Sequence, residues 1–497
     1  MIRAIRSSLD TERHLEDEEG HNVAFGHTWG RVCATGRECG VPETHLWTVK
    51  EGKVVWFEAY IDTLMRDTLM RRGALELWAA LGLPPRPRAV SSYKLVAVSS
   101  SIGGTAVERA VILGAARTPF AKFGGALSSL SAPELGGTAI REAIDRSGVE
   151  DGEIQHSIFG IVVQAGVGQI PSRQANFHAG LPFSLTTETL NQVCASGMRS
   201  ATLAETMVRC GDYDVLLAGG MESMSNAPYL LQKARWGARM GDAPMVDAMI
   251  HDGLLDAFEH VNMVRFGSDG ARESGISREE QDEWSLRSHQ RAAEATDKGW
   301  LAEEIVGVKV SGKKGETSYV ECDEPIRSDT SLEKLAALKP LDEGGTITAG
   351  NAPGVTDGAG ALVLASEDFA ERRDIEPLGT IVAHAKVAEE PPNLHSVPGN
   401  AGKRALEKAG WSVDDLDLVE INEAFAAVAI NSSRILGVSE EIVNVNGGAI
   451  SLGHPIGASG ARILMTVCYE LKRRGGGRGL AALCSGGGQG DAVLVEV

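Results

Sequence analysis

The 497-residue sequence lacks several features that mark particular classes of protein. No apolar run approaches the ~18 residues that a membrane-spanning helix needs, so we expect no membrane partner. The net charge is −19 at pH 7, whereas proteins that bind nucleic acid normally have a basic excess, so we expect no nucleic-acid partner either. Aromatic residues make up only 5% of the chain, against 59 glycines. This balance favours an α/β protein with many tight turns over a disordered chain.

The seven cysteines lie far apart, and no two of them form a C-x-x-C pair. This spacing argues against a disulfide framework and against a zinc ribbon, and we expect no bound metal. The first residues have no signal-peptide core, and the acidic stretch at residues 15–20 is unlike a transit peptide. The sequence therefore predicts reduced thiols in a cytoplasmic protein.

A change of composition at about residues 84–106 divides the chain. The prolines of Pro84–Arg88 interrupt a helical pattern, and the serines and glycines of Ser99–Gly104 are typical of a flexible linker. A new apolar strand is predicted to begin at Ala110. We therefore expect a separate N-terminal segment before this boundary.

A duplicated pattern occupies the chain after the boundary. The segment Ala143–Gly148 is echoed by Ala405–Gly410, and at nearly the same spacing Ala195–Arg199 is echoed by Ala458–Arg462. The first pair predicts a helix that ends at glycine before a strand, and the second opens an amphipathic helix that leads to an apolar strand. Two collinear matches predict two similar βαβ-rich halves, with parallel-rich sheets covered by helices.

Residues 224–352 form an insertion between the two halves. This segment carries helical patterns, above all at Arg278–Lys298, together with polar loops. Because it follows directly after the strand that ends at Gly219 and Gly220, we expect it to cover the end of the sheet.

Cys194 is the first candidate for chemistry. It lies between a predicted strand, Thr186–Leu190, and a helix predicted to start at Ala195. The positive end of that helix is expected to lower the pKa of the thiol from about 8.5 towards the ~3.5–7.5 range. The small residues that follow would let backbone amides approach an acyl oxygen. Taken alone, however, a lone cysteine is more often a buried structural residue.

Three further polar residues stand in similar places. His454 lies in glycine-rich backbone and could accept a proton from a thiol, although a lone histidine is more often structural. Cys484 ends the last apolar strand and Asn422 ends a buried one, where a strand terminus or a helix cap is the ordinary interpretation. Because all four fall at the carboxyl ends of strands in the two halves, where open α/β sheets bind ligands, we favour an active site.

These four segments resemble the signature blocks of the thiolase family. The blocks are N-x-x-C-x-S-G at 191–197, N-E-A-F at 422–425, G-H-P-x-G-x-S-G at 453–460 and C-x-G-G-G-x-G at 484–490. The resemblance covers about residues 107–497. It implies an α/β thiolase fold, in which two duplicated halves form a layered αβαβα core with an inserted loop domain.

The resemblance also implies a division into domains. These are a partial N-terminal segment (1–85), a linker (86–106), an N-terminal half (107–223, completed by 353–372), an inserted coenzyme A-binding loop domain (224–352) and a C-terminal half (373–497).

For the chemistry, the resemblance implies a ping-pong mechanism. Cys194 would attack an acyl-CoA thioester while His454 accepts its proton. Cys484 would remove a proton from the methyl group of a second acetyl-CoA. Asn422 would hold a water that forms, with His454, the oxyanion hole for the enolate. The N–H groups of Cys194 and Gly486 would form a second oxyanion hole, for the tetrahedral intermediate.

The family pattern also suggests contacts with coenzyme A, whose thioesters would be substrates rather than permanently bound cofactors. These candidate contacts are Leu254, Met263, Arg327, Ala349, Ala424 and Phe425. Arg327 would lie near the adenine and the others along the pantetheine tunnel. Three places depart from the family. Pro353 replaces a frequent serine, Asn262 replaces a frequent histidine, and Asn393–Pro398 replaces a stretch that contains methionine and glycine in the family.

The predicted function is acetyl-CoA C-acetyltransferase, which condenses two acetyl-CoA reversibly to acetoacetyl-CoA and CoA, in a homodimer or homotetramer. The main alternative is a degradative thiolase that cleaves longer 3-ketoacyl-CoA with the same catalytic residues. A condensing enzyme fed by acyl carrier protein, an inactive binding module and a nicotinamide dehydrogenase are less favoured. For the dehydrogenase, Gly166–Gly168 begins a G-x-G-x-x-G motif that is not completed.

The N-terminal segment has a resemblance of its own. Ala34–Arg37, His45–Thr48 and Glu51–Asp62 are similar to the last strands of polyketide-cyclase or ketosteroid-isomerase-like α+β cones. We expect a hairpin from 45 to 60 and a helix at about 63–81. A fusion remnant is the preferred interpretation, with an oligomer contact or a small regulatory domain as alternatives.

Overall fold

A computed structural model of the chain describes residues 109–312 and 316–497 fully, and the backbone of four strands between residues 5 and 61. The chain divides into two units, residues 1–99 and 100–497. Among the residues so described, no helix is long and apolar enough to cross a membrane.

The first unit contains an antiparallel four-stranded sheet in the order β1-β2-β3-β4. Its strands are β1 (Ile5–Glu16), β2 (His21–Val32), β3 (Glu38–Lys50) and β4 (Lys53–Ile61). The pairing of Lys50 with Lys53 confirms the predicted hairpin. The helix expected at 63–81 lies outside the described residues.

The second unit alternates strands and helices along the chain. Its strands are β5 (Ala110–Arg117), β6 (Ala121–Lys122), β7 (His156–Gly160), β8 (Thr186–Leu190), β9 (Val215–Ser223), β10 (Tyr229–Leu230), β11 (Val246–Asp247), β12 (Val308–Ser311), β13 (Thr317–Val320), β14 (Thr356–Ser366), β15 (Gly379–Ala388), β16 (Leu418–Ile421), β17 (Arg478–Ser485) and β18 (Gln489–Glu496). Its α-helices are α1 (Ala132–Ser147), α2 (Pro171–His178), α3 (Ser196–Arg209), α4 (Met263–Glu273), α5 (Arg278–Asp297), α6 (Leu332–Ala336), α7 (Glu367–Arg373), α8 (Val397–Ala409), α9 (Ala426–Leu436), α10 (Ala449–Leu452) and α11 (Ser459–Arg474).

Ten strands form one continuous sheet in the order β16-β17-β18-β15-β5-β14-β9-β7-β8, with β6 paired to β14. The two duplicated halves of this sheet meet where β5 pairs with β15 over only three residue pairs, from Gly379–Ile112 to Ile381–Ala110. Parallel pairing joins β7 to β8, β7 to β9 and β16 to β17, and the remaining pairs are antiparallel.

The sheet is therefore mixed, and the expectation of parallel-rich halves was wrong. Two connections explain the difference. Strand β14 returns from the insertion and runs antiparallel between β5 and β9. Strand β18 turns back on β17 directly after the glycines at 486–488, as a hairpin must.

Helices and sheet form five layers, as expected for the core. Helices α3 and α11 pack together between the two halves of the sheet, while α1 covers the outer face of the first half and α8 that of the second. Aliphatic residues of both halves meet around α3 and α11 in one fully buried cluster. Burial of this kind stabilises the core by about 25 cal/mol per Å² of apolar surface.

The repeated Ser-Gly pair at the start of these two helices has a packing role. A Cβ on Gly197 would meet the backbone N of Ala461 at 2.8 Å, and a Cβ on Gly460 would meet that of Met198 at 2.3 Å. Only glycine allows α3 and α11 to approach this closely. The first pair of repeated segments is confirmed as well, since α1 and α8 both end at a left-handed glycine, Gly148 and Gly410.

The chain between β9 and β14 contains α4, α5 and α6 with two short hairpins. Helix α5 confirms the helical pattern predicted at 278–298, and a capping box formed by Ser277 and Glu280 begins it. Arg117 at the end of β5 attaches this segment to the core. Its guanidinium is fully buried against Glu304, at 2.7 Å, and Asp323, at 2.7 and 2.8 Å.

Candidate active site

A cavity of about 240 Å³ lies where the carboxyl ends of the strands meet the inserted segment. Cys194, His454, Cys484 and Gly486 all line it. These residues come from three of the four sequence blocks. Cys484 and Gly486 lie almost 300 residues after Cys194 along the chain. The structure thus brings both thiols and the imidazole to one apolar cavity.

A strained turn presents Cys194 to this cavity. Val193 has φ 45°, a left-handed conformation that costs a β-branched residue on the order of 1–3 kcal/mol. Two polar side chains hold the turn. Asn191 Oδ1 accepts the N–H of Val193 at 2.9 Å, and Ser196 Oγ accepts the N–H of Gln192 at 2.8 Å. The turn fixed in this way carries Cys194 in the wall of the cavity.

The environment of the Cys194 sulfur differs from the expectation. Burial raises the pKa of Cys194 to about 12, although the N–H groups of Cys194 and Gly486 act in the opposite direction. The predicted lowering was wrong because desolvation of the thiolate outweighs the helix terminus. Cys194 is therefore a neutral thiol in the free protein and needs a base when it reacts.

His454 is suited to be that base. Its Nδ1 lies 2.6 Å from Ser459 Oγ, and Ser459 Oγ donates to the carbonyl of Pro455 at 2.9 Å. The single hydroxyl proton of Ser459 is thus engaged, so Nδ1 carries the ring proton and Nε2 keeps its lone pair. Nε2 is buried and has no hydrogen-bond partner among the described residues. Burial, and secondarily Arg462, lowers the pKa of His454 to about 3, which keeps the ring neutral.

Cys484 lies at the end of β17 and is almost fully buried. Burial raises the pKa of its thiol, and the nearby Cys194 raises it further. Both cysteines line the same cavity, so the two thiols lie close together in space. Cys194, Cys484 and His454 are thus all neutral in the free protein. We therefore expect a thiol to lose its proton only while it reacts with a bound substrate.

Asn422 follows β16 and is completely buried. Neither its Nδ2 nor its Oδ1 has a hydrogen-bond partner among the described residues. A buried amide left unpaired costs about 1–3 kcal/mol, and Asn422 does not itself line the cavity, so its amide is suited to hold a bound water.

Comparison with known proteins agrees with this geometry. The family model "Thiolase, N-terminal domain" matches residues 110–368, and "Thiolase, C-terminal domain" matches residues 375–497. The chain belongs to the thiolase family. Neither match includes the N-terminal segment.

Several acetyl-CoA acetyltransferases resemble this thiolase along most of its length. The proteins from Chromobacterium violaceum and Rhizobium meliloti are 47% and 49% identical to it, over 78% of this chain and 98% of each relative. A crystal structure of the Bacillus anthracis acetyl-CoA acetyltransferase is 39% identical, with a TM-score of 0.77, and matches 79% of this chain and all of that one.

Four of the six candidate coenzyme A contacts of the thiolase line the cavity, namely Leu254, Met263, Ala424 and Phe425. Arg327 and Ala349 do not. They lie together at the surface, where Arg327 Nη1 is 3.4 Å from the carbonyl of Ala349. Asn262, Pro353 and Leu394, which belong to the three departures from the family pattern, line the cavity as well. Further residues that sequence analysis did not identify complete the wall: Val193, Met224, Gly253, Val264, Leu341, Ala352, Gly354, Val355, Ile456 and Ser485.

The departure at Asn262 has a local explanation. Asn262 is the N-cap of α4, and its Oδ1 accepts the N–H of Val264 at 3.0 Å. The side chain therefore fixes the helix that carries Met263 to the cavity wall.

Two buried carboxylates hold the catalytic segments in place. Glu423, next to Asn422, accepts hydrogen bonds from Trp284 Nε1 at 2.9 Å and from Ser288 Oγ at 2.8 Å, both on α5. Glu222 accepts the N–H groups of two residues after β7 and that of Gly457, all at 3.0–3.1 Å. Burial raises the pKa of Glu222 to about 7. The signal for Glu423 was present in the N-E-A-F block, whereas Glu222 stands in a run without a recognisable motif.

Within residues 109–312 and 316–497, no group of three or more His, Cys, Asp and Glu side chains could hold a metal ion.

Proposed function

We propose that this thiolase is an acetyl-CoA C-acetyltransferase that condenses two acetyl-CoA into acetoacetyl-CoA and CoA, and also runs in reverse. The convergence of Cys194, Cys484 and His454 on one cavity is the observation that supports it. The names of its relatives point to the same substrate class. The reaction uses coenzyme A thioesters as substrates and needs no permanently bound cofactor.

In the first half-reaction, the Cys194 sulfur attacks the thioester carbonyl as its proton passes to Nε2 of His454. The oxyanion accepts hydrogen bonds from the N–H groups of Cys194 and Gly486, which already surround the sulfur. The carbon–sulfur bond to coenzyme A then breaks, and the leaving thiolate takes the proton of Cys484. Acetyl-Cys194, an imidazolium and the Cys484 thiolate remain, so charge is balanced.

In the second half-reaction, the Cys484 thiolate removes a methyl proton from a second acetyl-CoA. The enolate oxygen accepts hydrogen bonds from the His454 imidazolium and from a water held by Asn422, whose amide has no protein partner among the described residues. The enolate carbon attacks acetyl-Cys194, and the departing Cys194 sulfur recovers its proton from His454. Raised thiol pKa values fit this scheme, because each thiolate forms only when the imidazolium is present.

Mass spectrometry of a Cys484→Ala variant after brief exposure to acetyl-CoA tests the acyl-enzyme directly. We expect one acetyl group on Cys194, which accumulates because the second half-reaction lacks its base. Cys194→Ala is the matched control and should remain unmodified. Acetylation elsewhere, or none at all, would contradict the mechanism.

A degradative thiolase with a longer-chain preference is the second candidate, since it would use the same catalytic residues. The apolar cavity wall could accept a longer chain. Steady-state rates with acetoacetyl-CoA and 3-ketohexadecanoyl-CoA distinguish the two, and a preference for the longer substrate would favour the degradative function.

For coenzyme A, we propose that Leu254, Met263, Ala424 and Phe425 contact the pantetheine, because they line the cavity. Arg327 and Ala349 would contact the adenine of coenzyme A outside the cavity. We also propose the division into domains given by the resemblance, with residues 224–352 as the coenzyme A-binding insertion.

The remaining proposals concern the whole protein. We propose a cytoplasmic homodimer or homotetramer with an N-terminal segment that is a fusion remnant. Five cysteines in the described part of the chain are free thiols, which fits a reducing compartment. Analytical ultracentrifugation of the full chain and of residues 107–497 tests the assembly and the role of the segment together.

A further inference from the structure

The side chain of Gln192 is held between two charged groups behind the catalytic cavity. Its Oε1 accepts from Lys386 Nζ at 2.6 Å, and its Nε2 donates to Asp491 Oδ2 at 2.7 Å. Lys386 belongs to β15 and Asp491 to β18, so the two groups come from neighbouring strands of the second half. Gln192 itself follows β8, which belongs to the first half of the sheet. Its amide thus joins the two halves.

The backbone of the same residue contacts both cysteine segments. Gln192 precedes Cys194 by two residues, and its carbonyl accepts the N–H of Ala195 at 3.0 Å. That carbonyl also accepts the hydroxyl of Ser485 at 2.5 Å, and Ser485 directly follows Cys484. Gln192 is therefore linked by hydrogen bonds to the segments that carry both thiols.

The charged groups around Asp491 are costly to bury, which suggests a geometric role. Asp491 is 1% exposed, and its Oδ1 has no hydrogen bond to any described residue, with Lys386 Nζ 3.9 Å away. Burial raises the pKa of Asp491 to about 6, while Lys386, Arg199 and His384 act against this. Lys386 is half-exposed, so its pair with the buried Asp491 contributes little net stability, and fixing one arrangement is the best-attested use of such a pair.

We propose that Gln192, fixed by Asp491 and Lys386, is a positioning residue that sets the separation of the Cys194 and Cys484 sulfurs for the carbon–carbon bond step. This inference rests on the proposed function. In the first half-reaction Cys484 only gives a proton to the leaving thiolate, whereas the second requires the acyl group on Cys194 to meet a carbanion formed beside Cys484. A change in the separation of the two segments therefore impairs the second half-reaction more than the first.

Two assays separate the half-reactions. Exchange of labelled CoA into acetyl-CoA needs only formation and reversal of acetyl-Cys194, and thiolysis of acetoacetyl-CoA needs both halves. For Gln192→Ala we expect thiolysis kcat to fall about 10²-fold, the effect of a misplacement near 1 Å, with exchange reduced less than about 5-fold. Glu205→Gln is the matched control. Glu205 is a buried carboxylate that contacts His384 and Arg209 but neither cysteine segment.

A double variant tests the hydrogen bonds themselves. In Gln192→Glu combined with Asp491→Asn, the donor and acceptor between the two side chains are exchanged, and Lys386 still meets an oxygen. We expect this pair to recover thiolysis to within about 5-fold of the wild type. Gln192→Glu alone places a second carboxylate against the buried Asp491 and should be as impaired as Gln192→Ala.

The outcomes are distinct. Selective loss of thiolysis in Gln192→Ala with recovery in the double variant supports the inference. Equal loss of exchange and thiolysis in Gln192→Ala, no loss of either activity, or no recovery of thiolysis in the double variant would overturn it. Thermal denaturation of each variant shows whether an equal loss of both activities comes from misfolding. A wild-type protein with neither activity would instead reject the proposed function, and the inference with it.

Discussion

Ser459 Oγ lies 2.6 Å from Nδ1 of His454 and donates its own hydrogen bond to the carbonyl of Pro455. This relationship decides which nitrogen of the imidazole is the base. Because the hydroxyl can only accept from Nδ1, the lone pair of Nε2 is left for the cavity. A serine in the G-H-P-x-G-x-S-G block thus has a chemical role that its small size does not suggest.

The first prediction follows from that contact. Ser459→Ala should lower kcat for thiolysis by about 10–10²-fold, because the ring loses the partner that selects its tautomer and orientation. KM for acetoacetyl-CoA should change little, since Ser459 does not line the cavity. Ser433→Ala is the matched control, as Ser433 Oγ makes the same type of bond to a helix carbonyl, Ala429 O, away from the site. Equal activity in the two variants would remove Ser459 from the mechanism.

The second prediction concerns Arg117. Arg117→Met leaves the buried carboxylates of Glu304 and Asp323 without their cation, and we expect a loss of about 3–5 kcal/mol in the free energy of unfolding. Arg141→Met breaks partly exposed pairs with Asp145 and Asp151 and should cost less than about 1 kcal/mol. Urea denaturation measures both. Similar losses in the free energy of unfolding of the two variants would show that burial does not increase the destabilisation caused by loss of Arg117.

The third prediction is a pH dependence at His289. Burial, and secondarily Arg327, lowers the pKa of His289 from 6.5 to about 4, while its Nδ1 accepts the N–H of Arg327 at 3.2 Å. Between these two pH values His289 is therefore neutral in the folded protein but protonated in the unfolded chain. The stability that the neutral ring contributes is complete above pH 6.5 and is lost as the pH falls towards 4.

His289→Gln removes this titration. Between pH 7.5 and pH 5, the wild type should lose about 2 kcal/mol more of its free energy of unfolding than the variant does. Denaturation at the two pH values gives the difference directly. Parallel losses would mean that His289 is protonated as readily in the folded protein as in the unfolded chain.

The fourth prediction concerns substrate length. Met224 is buried against Val163 and Ile456 beside Cys194, in the wall of the cavity. Met224→Ala should enlarge the space near the acyl group, and each added methylene in such a pocket is worth about 1–3 kcal/mol. We expect the ratio of kcat/KM for 3-ketohexanoyl-CoA to that for acetoacetyl-CoA to rise about 10-fold. Met249→Ala, in the same apolar cluster but outside the cavity lining, serves as the control. An unchanged ratio would place the acyl group elsewhere.

The sequence predicted that Cys194, His454 and Cys484 share one site, and the structure brings all three to one cavity. It also predicted the helix ends that glycines define. Cys194, His454 and Cys484 were identified because each stands at a turn or strand end with small neighbours, and these features are local. The mixed sheet was not predicted, because the position of β14 between β5 and β9 depends on pairing across more than 100 residues.

The burial of the site residues also could not be predicted from the local sequence. The motif around Cys194 suggested a helix terminus and a lowered pKa, but the cavity wall that desolvates the sulfur comes from distant segments. Gln192 and Glu222 escaped notice for the same reason, since each has partners on other strands or loops.

The inserted segment has an evolutionary consequence. Strands and helices of the duplicated core supply the two thiols and the imidazole, whereas Met224, Leu254, Met263 and Leu341 come from the chain between β9 and β14. Mutations or length changes in that segment can alter which acyl group fits without moving a reacting atom. Proteins that differ only in this segment are therefore expected to differ in acyl-chain preference while they catalyse the same reaction.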